Sequence, residues 1–207
     1  GLVFSAMDME KDDIRRIENA YAGADVAVVS NNSAHRWSED VPMIIPEINP
    51  DHLNLIRTQQ KRRGWRRGFV VVKPNCSIQS YVPLLTALMQ FTPQKGIVTT
   101  QHALSGAGKT FASWPQMDDN VIPYIVGEEE KSEKEPMKIW GTVKDGRVML
   151  AITPVISATC VRVPVSDGHM ATVSVLFARK PTATQIIQAW KNFNPLKNHN
   201  LPSAPQP

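Results

Sequence analysis

Cys76 and His169 are the two residues whose types and local settings best suit nucleophilic chemistry. Cys76 lies in Lys73-Pro-Asn-Cys-Ser77, a polar turn between an apolar strand and a segment with helical spacing. This places the thiol at a predicted helix start, where unpaired backbone N–H groups and the positive end of the helix dipole favour the thiolate. A small buried apolar role is the common alternative for a free cysteine. Both interpretations stay open from the local sequence.

A nucleophilic thiol needs a partner that exchanges protons near neutral pH, which is the range in which an imidazole titrates. His169 follows a predicted strand and a tight turn in Arg162-Val-Pro-Val-Ser-Asp-Gly-His169. Arg162, on the same strand, has the planar guanidinium that binds carboxylates through two hydrogen bonds. The simpler alternatives are a surface histidine beside a turn and a surface ion pair. Cys160, in contrast, lies within a strand and is predicted to be a core residue.

Other chemical signatures are weaker. The sequence has neither closely paired cysteines nor a His-Glu-x-x-His pattern, so we predict no metal site. Its 11 glycines contain no G-x-G-x-x-G fingerprint for a dinucleotide. The run Lys61-Arg-Arg-Gly-Trp-Arg-Arg67 fits either a phosphate or nucleic-acid patch or a solvated helix end, where cations are favoured.

The composition limits the class of protein. With 207 residues, of which 42% are apolar and 20% charged, the chain can build a hydrophobic core. The 23 Lys and Arg exceed the 19 Asp and Glu by only four, which argues against a uniformly basic nucleic-acid-binding protein. Two cysteines cannot form a dense disulfide framework, and no apolar run reaches the roughly 20 residues of a membrane span. We therefore expect a cytoplasmic protein without nucleic-acid or membrane partners.

The elements that must position these residues follow from the apolar periodicity. Helices are predicted over 8–22, 52–60, 78–91, 127–140 and 182–193, and strands over 2–4, 25–30, 69–72 and 97–100. The alternation of strands and helices at the start of the chain indicates a parallel α/β sheet. Residues 143–177 alternate β-branched residues with turns, which favours antiparallel strands. The three prolines in 201–207 favour an extended connector.

Several stretches, taken in chain order, carry a resemblance to one family. They are Val3-Phe-Ser-Ala6, Val29-Ser-Asn-Asn-Ser-Ala-His-Arg36, Ile45-Pro-Glu-Ile-Asn49, Lys73-Pro-Asn-Cys-Ser77, Ser105-Gly-Ala-Gly108, Asn120-Val-Ile-Pro-Tyr-Ile125, Gly127-Glu-Glu-Glu-Lys131 and Arg162-Val-Pro-Val-Ser-Asp-Gly-His169. Together they resemble the aspartate-β-semialdehyde dehydrogenases of the branch found in fungi, archaea and some bacteria. The resemblance covers nearly all 207 residues.

The resemblance implies a fold and a reaction. The fold is α/β: residues 1–72 would be the later part of an NADP-binding Rossmann domain, and 73–207 a catalytic and dimerisation domain with a mixed, largely antiparallel sheet. The family reductively dephosphorylates L-aspartyl-4-phosphate with NADPH, on the route to lysine, threonine and methionine. It also forms homo-oligomers, either dimers or tetramers. The family's glycine-rich turn would precede Gly1, so we expect a fragment that binds little or no NADP by itself.

The resemblance also assigns roles to individual residues. Cys76 would be the nucleophile and His169 the proton shuttle. Substrate contacts would come from Arg162, Glu128, Asn75 and His102, phosphate contacts from Arg36 and Lys131, and cofactor contacts from Ser5, Asn31, Ser105 and Gly106. His102 departs from the family, which usually has Gln at that position. Related reductases of malonyl-CoA or N-acetylglutamyl phosphate, or a non-catalytic binding module, are the alternatives.

Overall fold

The computed structural model describes residues 1–196, which form two compact units. The first contains Gly1–Pro74 and Met137–Ala151, and the second contains Asn75–Pro136 and the described residues from Ile152 onward. The elements are β1 (Leu2–Ser5), α1 (Lys11–Gly23), β2 (Ala27–Ser30), α2 (Leu55–Arg63), β3 (Phe69–Val72), α3 (Val82–Thr86), β4 (Pro93–His102), α4 (Glu128–Ile139), β5 (Thr142–Lys144), β6 (Arg147–Met149), β7 (Val155–Arg162), β8 (His169–Phe177) and α5 (Ala183–Asn192). The segment Met137–Ala151, which we had placed in the second domain, groups with the first unit.

In the first unit, β1, β2 and β3 form a parallel sheet in that order, as the alternation of strands and helices predicts. Val28 on the central strand β2 and Val70, its register partner on β3, are completely buried. Strand β2 begins two residues later than predicted because Asp25 has a φ of +62°, outside the extended region. Its carboxylate instead accepts hydrogen bonds from Arg66 and from the N–H of Arg67.

The basic run 61–67 lies at the end of α2, and most of its charge is paired within the first unit. Arg63 makes a two-bond ion pair with Asp40, at 2.6 and 2.7 Å. Arg62 lies 3.2 Å from Glu39, and Arg66 lies 2.7 Å from Asp25. The helix ends at Gly64, whose φ of +68° suits glycine. This arrangement favours the solvated helix end over a polyanion patch.

In the second unit, β4 is the central strand of a three-stranded sheet with the order β7-β4-β8. Strand β7 pairs parallel with β4, whereas β8 pairs antiparallel. The mixed sheet is confirmed, but the expectation that all of 143–177 is antiparallel is wrong for β7. The reason is topological: β4 lies between β7 and β8, so the short turn that joins those two strands does not make them neighbours. The antiparallel hairpin is β5–β6, in the first unit.

The predicted helix over 78–91 is broken into three short pieces. A 3-10 helix spans Ser77–Ser80, α3 follows after Tyr81, and a second 3-10 turn spans Met89–Phe91. Pro83 lacks the N–H that a continuous helix would use, so it fits only at the start of the new helix. Cys76 therefore caps a single 3-10 turn instead of beginning a long helix. The dipole argument for its reactivity loses most of its force, because a one-turn helix has a small dipole.

The helices α4 and α5 lie close to their predicted positions. Thr182 caps α5 with a capping box, in which its side chain and that of Gln185 bond each other's backbone N–H. The predicted connector over 201–207 lies outside the described residues. Within residues 1–196, none of the helices combines the length and apolar character needed to cross a membrane.

Candidate active site

The second unit brings Cys76 and His169 together, although 93 positions separate them in the chain. The Sγ atom of Cys76 lies 3.2 Å from Nε2 of His169, and the cysteine side chain is exposed. The other ring nitrogen, Nδ1, lies 2.9 Å from the carbonyl oxygen of Gly168. Nδ1 also lies 3.3 Å from the backbone nitrogen of Ala103, whose N–H donates to it when Nδ1 carries no proton. In the tautomer that suits a base, the proton on Nδ1 is donated to the Gly168 carbonyl and the Nε2 lone pair is directed at the thiol. The pair therefore has the geometry of a nucleophile and its base.

The loop before the nucleophile is held by an Asx turn. The Oδ1 atom of Asn75 accepts hydrogen bonds from the N–H and the hydroxyl of Ser77, both at 2.8 Å. Its amide donates to Glu128 at 2.8 Å, and its backbone N–H donates to Glu135 at 2.6 Å. Asn75 is buried and its side chain and backbone N–H are hydrogen-bonded. These bonds hold the backbone next to Cys76 in a fixed conformation.

One stripe of α4 faces this loop. Glu128, Ser132 and Glu135 recur at intervals of four and three residues, which places them on the same side of a helix. Ser132 lies 3.3 Å from the hydroxyl of Ser77, and its carbonyl accepts a hydrogen bond from Tyr81. Our sequence prediction named only the first of the three. The same spacing in Glu128-Glu-Glu-Lys-Ser-Glu-Lys-Glu135 would have identified the other two.

Glu128 is the ionised carboxylate of the site. Burial disfavours its charge, but hydrogen bonds from Lys131 and Asn75 outweigh this effect and hold the pKa of Glu128 below its usual value. Lys131 donates to the other carboxylate oxygen at 2.5 Å. A carboxylate and an ammonium one helical turn apart therefore border the nucleophile loop, and they offer opposite charges to a polar ligand.

The side chains of Arg162 and His169 both lie close to Gly106. Arg162 is only 6% exposed and donates from Nη1 to the carbonyl of Ala103 at 2.6 Å. A methyl group placed on Gly106 would lie 2.8 Å from Cε1 of His169 and 3.0 Å from Nη1 of Arg162. The glycine therefore permits close contact between this turn and both side chains. Ser105 precedes it and is exposed on the same turn.

His102 is buried beside this group, at 2% exposure. Its Nε2 atom lies 2.8 Å from the hydroxyl of Thr100, which donates to Cys160 at 3.0 Å. Burial and the neighbouring His169 lower the pKa of His102 to about 4, so its ring is neutral at pH 7. Cys160 is fully buried, as the sequence predicted for a core residue.

Three predicted site residues belong to the first unit. Arg36 is buried and donates to the carbonyls of Lys73 and Asn31. Ser5, at the carboxyl end of β1, donates its hydroxyl to the buried carboxylate of Glu18 at 2.6 Å. The side chain of Asn31, which follows β2, is exposed and has no hydrogen-bond partner among the described residues. Over residues 1–196, no cluster of three or more His, Cys, Asp or Glu side chains is arranged to hold a metal ion.

The fold and the site define an α/β protein of two units, of which the second holds a cysteine–histidine pair beside charged side chains. Comparison with protein families identifies the class. Residues 1–56 match the model of the semialdehyde dehydrogenase NAD-binding domain, and residues 83–206 match that of the semialdehyde dehydrogenase dimerisation domain. The chain belongs to the semialdehyde dehydrogenase family.

Curated proteins similar to this chain include aspartate-semialdehyde dehydrogenases. The protein from Archaeoglobus fulgidus is 42% identical over 205 residues, and the one from Cryptococcus neoformans var. neoformans is 41% identical over 214 residues. In each case the match covers 99% of this chain and 58% of the relative. The chain thus spans somewhat under three fifths of the length of these relatives.

Solved structures show the same fold. The structure of aspartate semialdehyde dehydrogenase with NADP from Candida albicans has a TM-score of 0.78 and 32% identity, over 93% of this chain and 56% of that one. The structure of aspartate semialdehyde dehydrogenase II from Vibrio cholerae, complexed with ASA, has a TM-score of 0.72. Its identity is 23% over 93% of this chain and 60% of that one, so it supports the fold alone.

Proposed function

We propose that the protein is an NADP-dependent aspartate-semialdehyde dehydrogenase that reductively dephosphorylates L-aspartyl-4-phosphate through a thioester on Cys76. The observation that carries this proposal is the 3.2 Å contact between Cys76 Sγ and His169 Nε2. The similarity to aspartate-semialdehyde dehydrogenases over 99% of the chain supports the choice of reaction. The product, a β-semialdehyde, would lie on the route to lysine, threonine and methionine.

The first chemical step needs only residues of the second unit. His169 takes the thiol proton at Nε2, and the sulfur attacks the acyl carbon of the substrate. The bond between that carbon and the phosphate oxygen breaks, so inorganic phosphate leaves and an acyl thioester remains on Cys76. His169 is then positioned to return its proton when the sulfur is released as product forms. Bound NADPH would supply the hydride that reduces the thioester to the aldehyde.

The charges around the pair suit an amino-acid acyl phosphate. We infer that Arg162 binds the α-carboxylate, because its guanidinium lies beside Gly106, as the imidazole does, and offers planar N–H donors. Glu128 is ionised and suits the α-ammonium group. Lys131, paired with Glu128 in this structure, can bind the phosphate instead. Neither malonyl-CoA nor N-acetylglutamyl phosphate carries a free α-ammonium, so Glu128 favours aspartyl phosphate over both.

The residues of the first unit fit part of a dinucleotide. The carboxyl ends of parallel strands are where α/β sheets bind such ligands, and Ser5 and Asn31 lie there. The hydroxyl of Ser5 donates to Glu18 and already accepts from Asn32 at 2.9 Å, so it can accept only one further hydrogen bond. The exposed amide of Asn31 both donates and accepts, which suits a ribose or carboxamide group. Arg36 remains our candidate for a phosphate contact, and Ser105 and Gly106 for the nicotinamide.

We further propose that the protein forms homodimers, as the description of the matched dimerisation domain suggests. The outward face of the mixed sheet exposes large apolar side chains from all three strands. They are Ile97 on β4, Val155 on β7, and Met170 and Leu176 on β8. A second copy of the chain would cover this face. Light scattering of the variant Ile97→Lys, compared with the unchanged protein, should show a shift toward monomer.

The decisive experiment is to trap the acyl-enzyme without cofactor. Mass spectrometry after incubation with L-aspartyl-4-phosphate should show an aspartyl adduct on the peptide that contains Cys76, and equimolar phosphate release. Cys160→Ser is the matched control and should still form the adduct, whereas Cys76→Ser and His169→Asn should not. Malonyl-CoA and N-acetylglutamyl phosphate, tested in parallel, should give less adduct. A higher yield of adduct from either of these compounds would show that it, and not L-aspartyl-4-phosphate, is the preferred substrate. The absence of an adduct from all three would refute the thioester mechanism.

A further inference from the structure

His102 and His169 are brought side by side by the pairing of β4 with β8. The two residues are directly opposite in the antiparallel register, at the end of β4 and the start of β8. Their ring centroids are 4.7 Å apart and the rings are tilted by 43°. His102 is almost completely buried, whereas His169 is partly exposed and reaches Cys76. The buried ring of His102 therefore packs against the more exposed ring of His169.

The orientation of the His102 ring is fixed from its buried side. Thr100 has one hydroxyl proton, which it donates to the sulfur of Cys160. The Thr100 oxygen must therefore accept from His102, so Nε2 of His102 carries the proton. Thr100 and Cys160 are both completely buried. This chain of hydrogen bonds determines the tautomer of His102 and holds its ring in one position.

Burial distinguishes the two rings electrostatically. Burial and the proximity of His169 lower the pKa of His102 to about 4, so the His102 ring is neutral near pH 7. The titratable and charged groups that face the pair are Cys76, Glu128, Lys131, Arg162 and Cys160. His102 thus offers a neutral aromatic surface and does not compete for the proton that His169 takes from the thiol.

We propose that His102 is a positioning residue, whose fixed ring packs against His169 and keeps Nε2 of His169 directed at Cys76. This role rests on the proposed Cys76–His169 pair and differs from the substrate contact that the family resemblance suggested. In this role, Thr100 contacts neither Cys76 nor His169 and acts through its hydrogen bond with His102. The ring, and not its ability to titrate, is the required feature.

The test is the rate of Cys76 alkylation by iodoacetamide as a function of pH, with peptide mapping and without substrate or cofactor. His102→Ala removes the ring that packs against His169, and His102→Phe keeps an aromatic ring that cannot titrate. Aromatic pairs of this kind contribute a factor of about 3 to 10 to an equilibrium. We therefore expect His102→Ala to react about 3- to 10-fold more slowly at pH 7, and His102→Phe to recover most of the rate. The midpoint of the pH profile should rise in the alanine variant by about half to one pH unit.

Two further variants keep the test decisive. Thr100→Val retains both histidines and removes the hydroxyl that accepts from His102 and donates to Cys160, so the alkylation rate of Cys76 should fall by about threefold. In every variant, Cys160 must stay unreactive, which shows that the interior remains folded. Equal profiles for the unchanged protein, His102→Ala and Thr100→Val would overturn the role of His102. A phenylalanine variant as slow as the alanine variant would also overturn it.

The variant His169→Asn separates this proposal from the proposed function. If His169→Asn changes the Cys76 profile while His102→Ala does not, only the positioning role of His102 is wrong. If His169→Asn itself reacts like the unchanged protein, the thiol does not depend on the imidazole and the proposed function fails first.

Discussion

Gly106 is the position where the smallest change should disturb the candidate site most. It lies in the turn after β4 and does not have a positive φ, so alanine can adopt the same backbone conformation. The added methyl group would lie 2.8 Å from Cε1 and 3.2 Å from Nε2 of His169. It would also lie 3.0 Å from Nη1 of Arg162. The substitution should therefore displace the imidazole without straining the backbone.

The expected magnitude follows from these distances. Carbon atoms in contact normally lie about 3.5 to 4.0 Å apart, so the ring of His169 must move by about 0.7 to 1.2 Å. That movement is enough to break the 3.2 Å contact with Cys76. Misplacing a reacting group by about 1 Å can reduce a rate by about 100-fold. We therefore expect Gly106→Ala to reduce acyl-enzyme formation by about 10- to 100-fold.

The assay is the rate of adduct formation on Cys76 under single-turnover conditions, with iodoacetamide alkylation as a second measurement. Gly96→Ala is the matched control, since it makes the same substitution on β4, the strand that leads into the turn containing Gly106. Its methyl group would meet only Cγ1 of Ile156, at an ordinary distance of 3.9 Å. The control should react within about twofold of the unchanged protein. If Gly106→Ala reacts as fast as Gly96→Ala, the close packing around His169 does not matter for reactivity.

Three further predictions concern stability, each measured by urea unfolding. The folded pKa of His102 is about 4 and the unfolded value is 6.5, so its contribution is full above pH 6.5 and is lost as the pH falls toward 4. Between pH 7.5 and 5, the free energy of unfolding should fall by about 2 kcal/mol more in the unchanged protein than in His102→Gln. Equal decreases in the two proteins would contradict this prediction. Gly68→Ala should lower the free energy of unfolding by about 3 kcal/mol or more, because its methyl group would lie 1.8 Å from the carbonyl oxygen of Ala22. A decrease below about 1 kcal/mol would show that the end of α1 can move to accommodate the methyl group. Glu135→Gln should cost about 1 kcal/mol by weakening the 2.6 Å bond to the loop N–H, whereas the exposed Glu130→Gln should cost almost nothing.

The family and the chemical class could be predicted from the sequence, because they depend on local patterns. The turn around Cys76 and the acidic start of α4 are contiguous motifs, and the alternation of the first strands and helices is a local periodicity. The family matches confirm the resemblance that these motifs indicated. The single helix predicted over 78–91 was wrong even locally. Its apolar spacing was helical, but Pro83 required a new helix start.

Other features depend on long-range pairing, which no local pattern encodes. The parallel pairing of β7 with β4 arises because β4 lies between two strands that are neighbours in the chain. The same register places His102 opposite His169, where a sequence comparison had suggested only a substrate contact. Glu135 supports the nucleophile loop from 60 positions away.

The amino-acid sequence by itself therefore determined the kinds of group available: a thiol in a polar turn, an imidazole after a strand, and a helix with carboxylates on one face. Only the tertiary structure decided that the thiol and the imidazole lie 3.2 Å apart and that a second, neutral imidazole packs behind the first. The physical reason is that residue type and local spacing set charge and secondary structure. Distances between remote side chains, in contrast, are set by how the strands pair and how the helices pack.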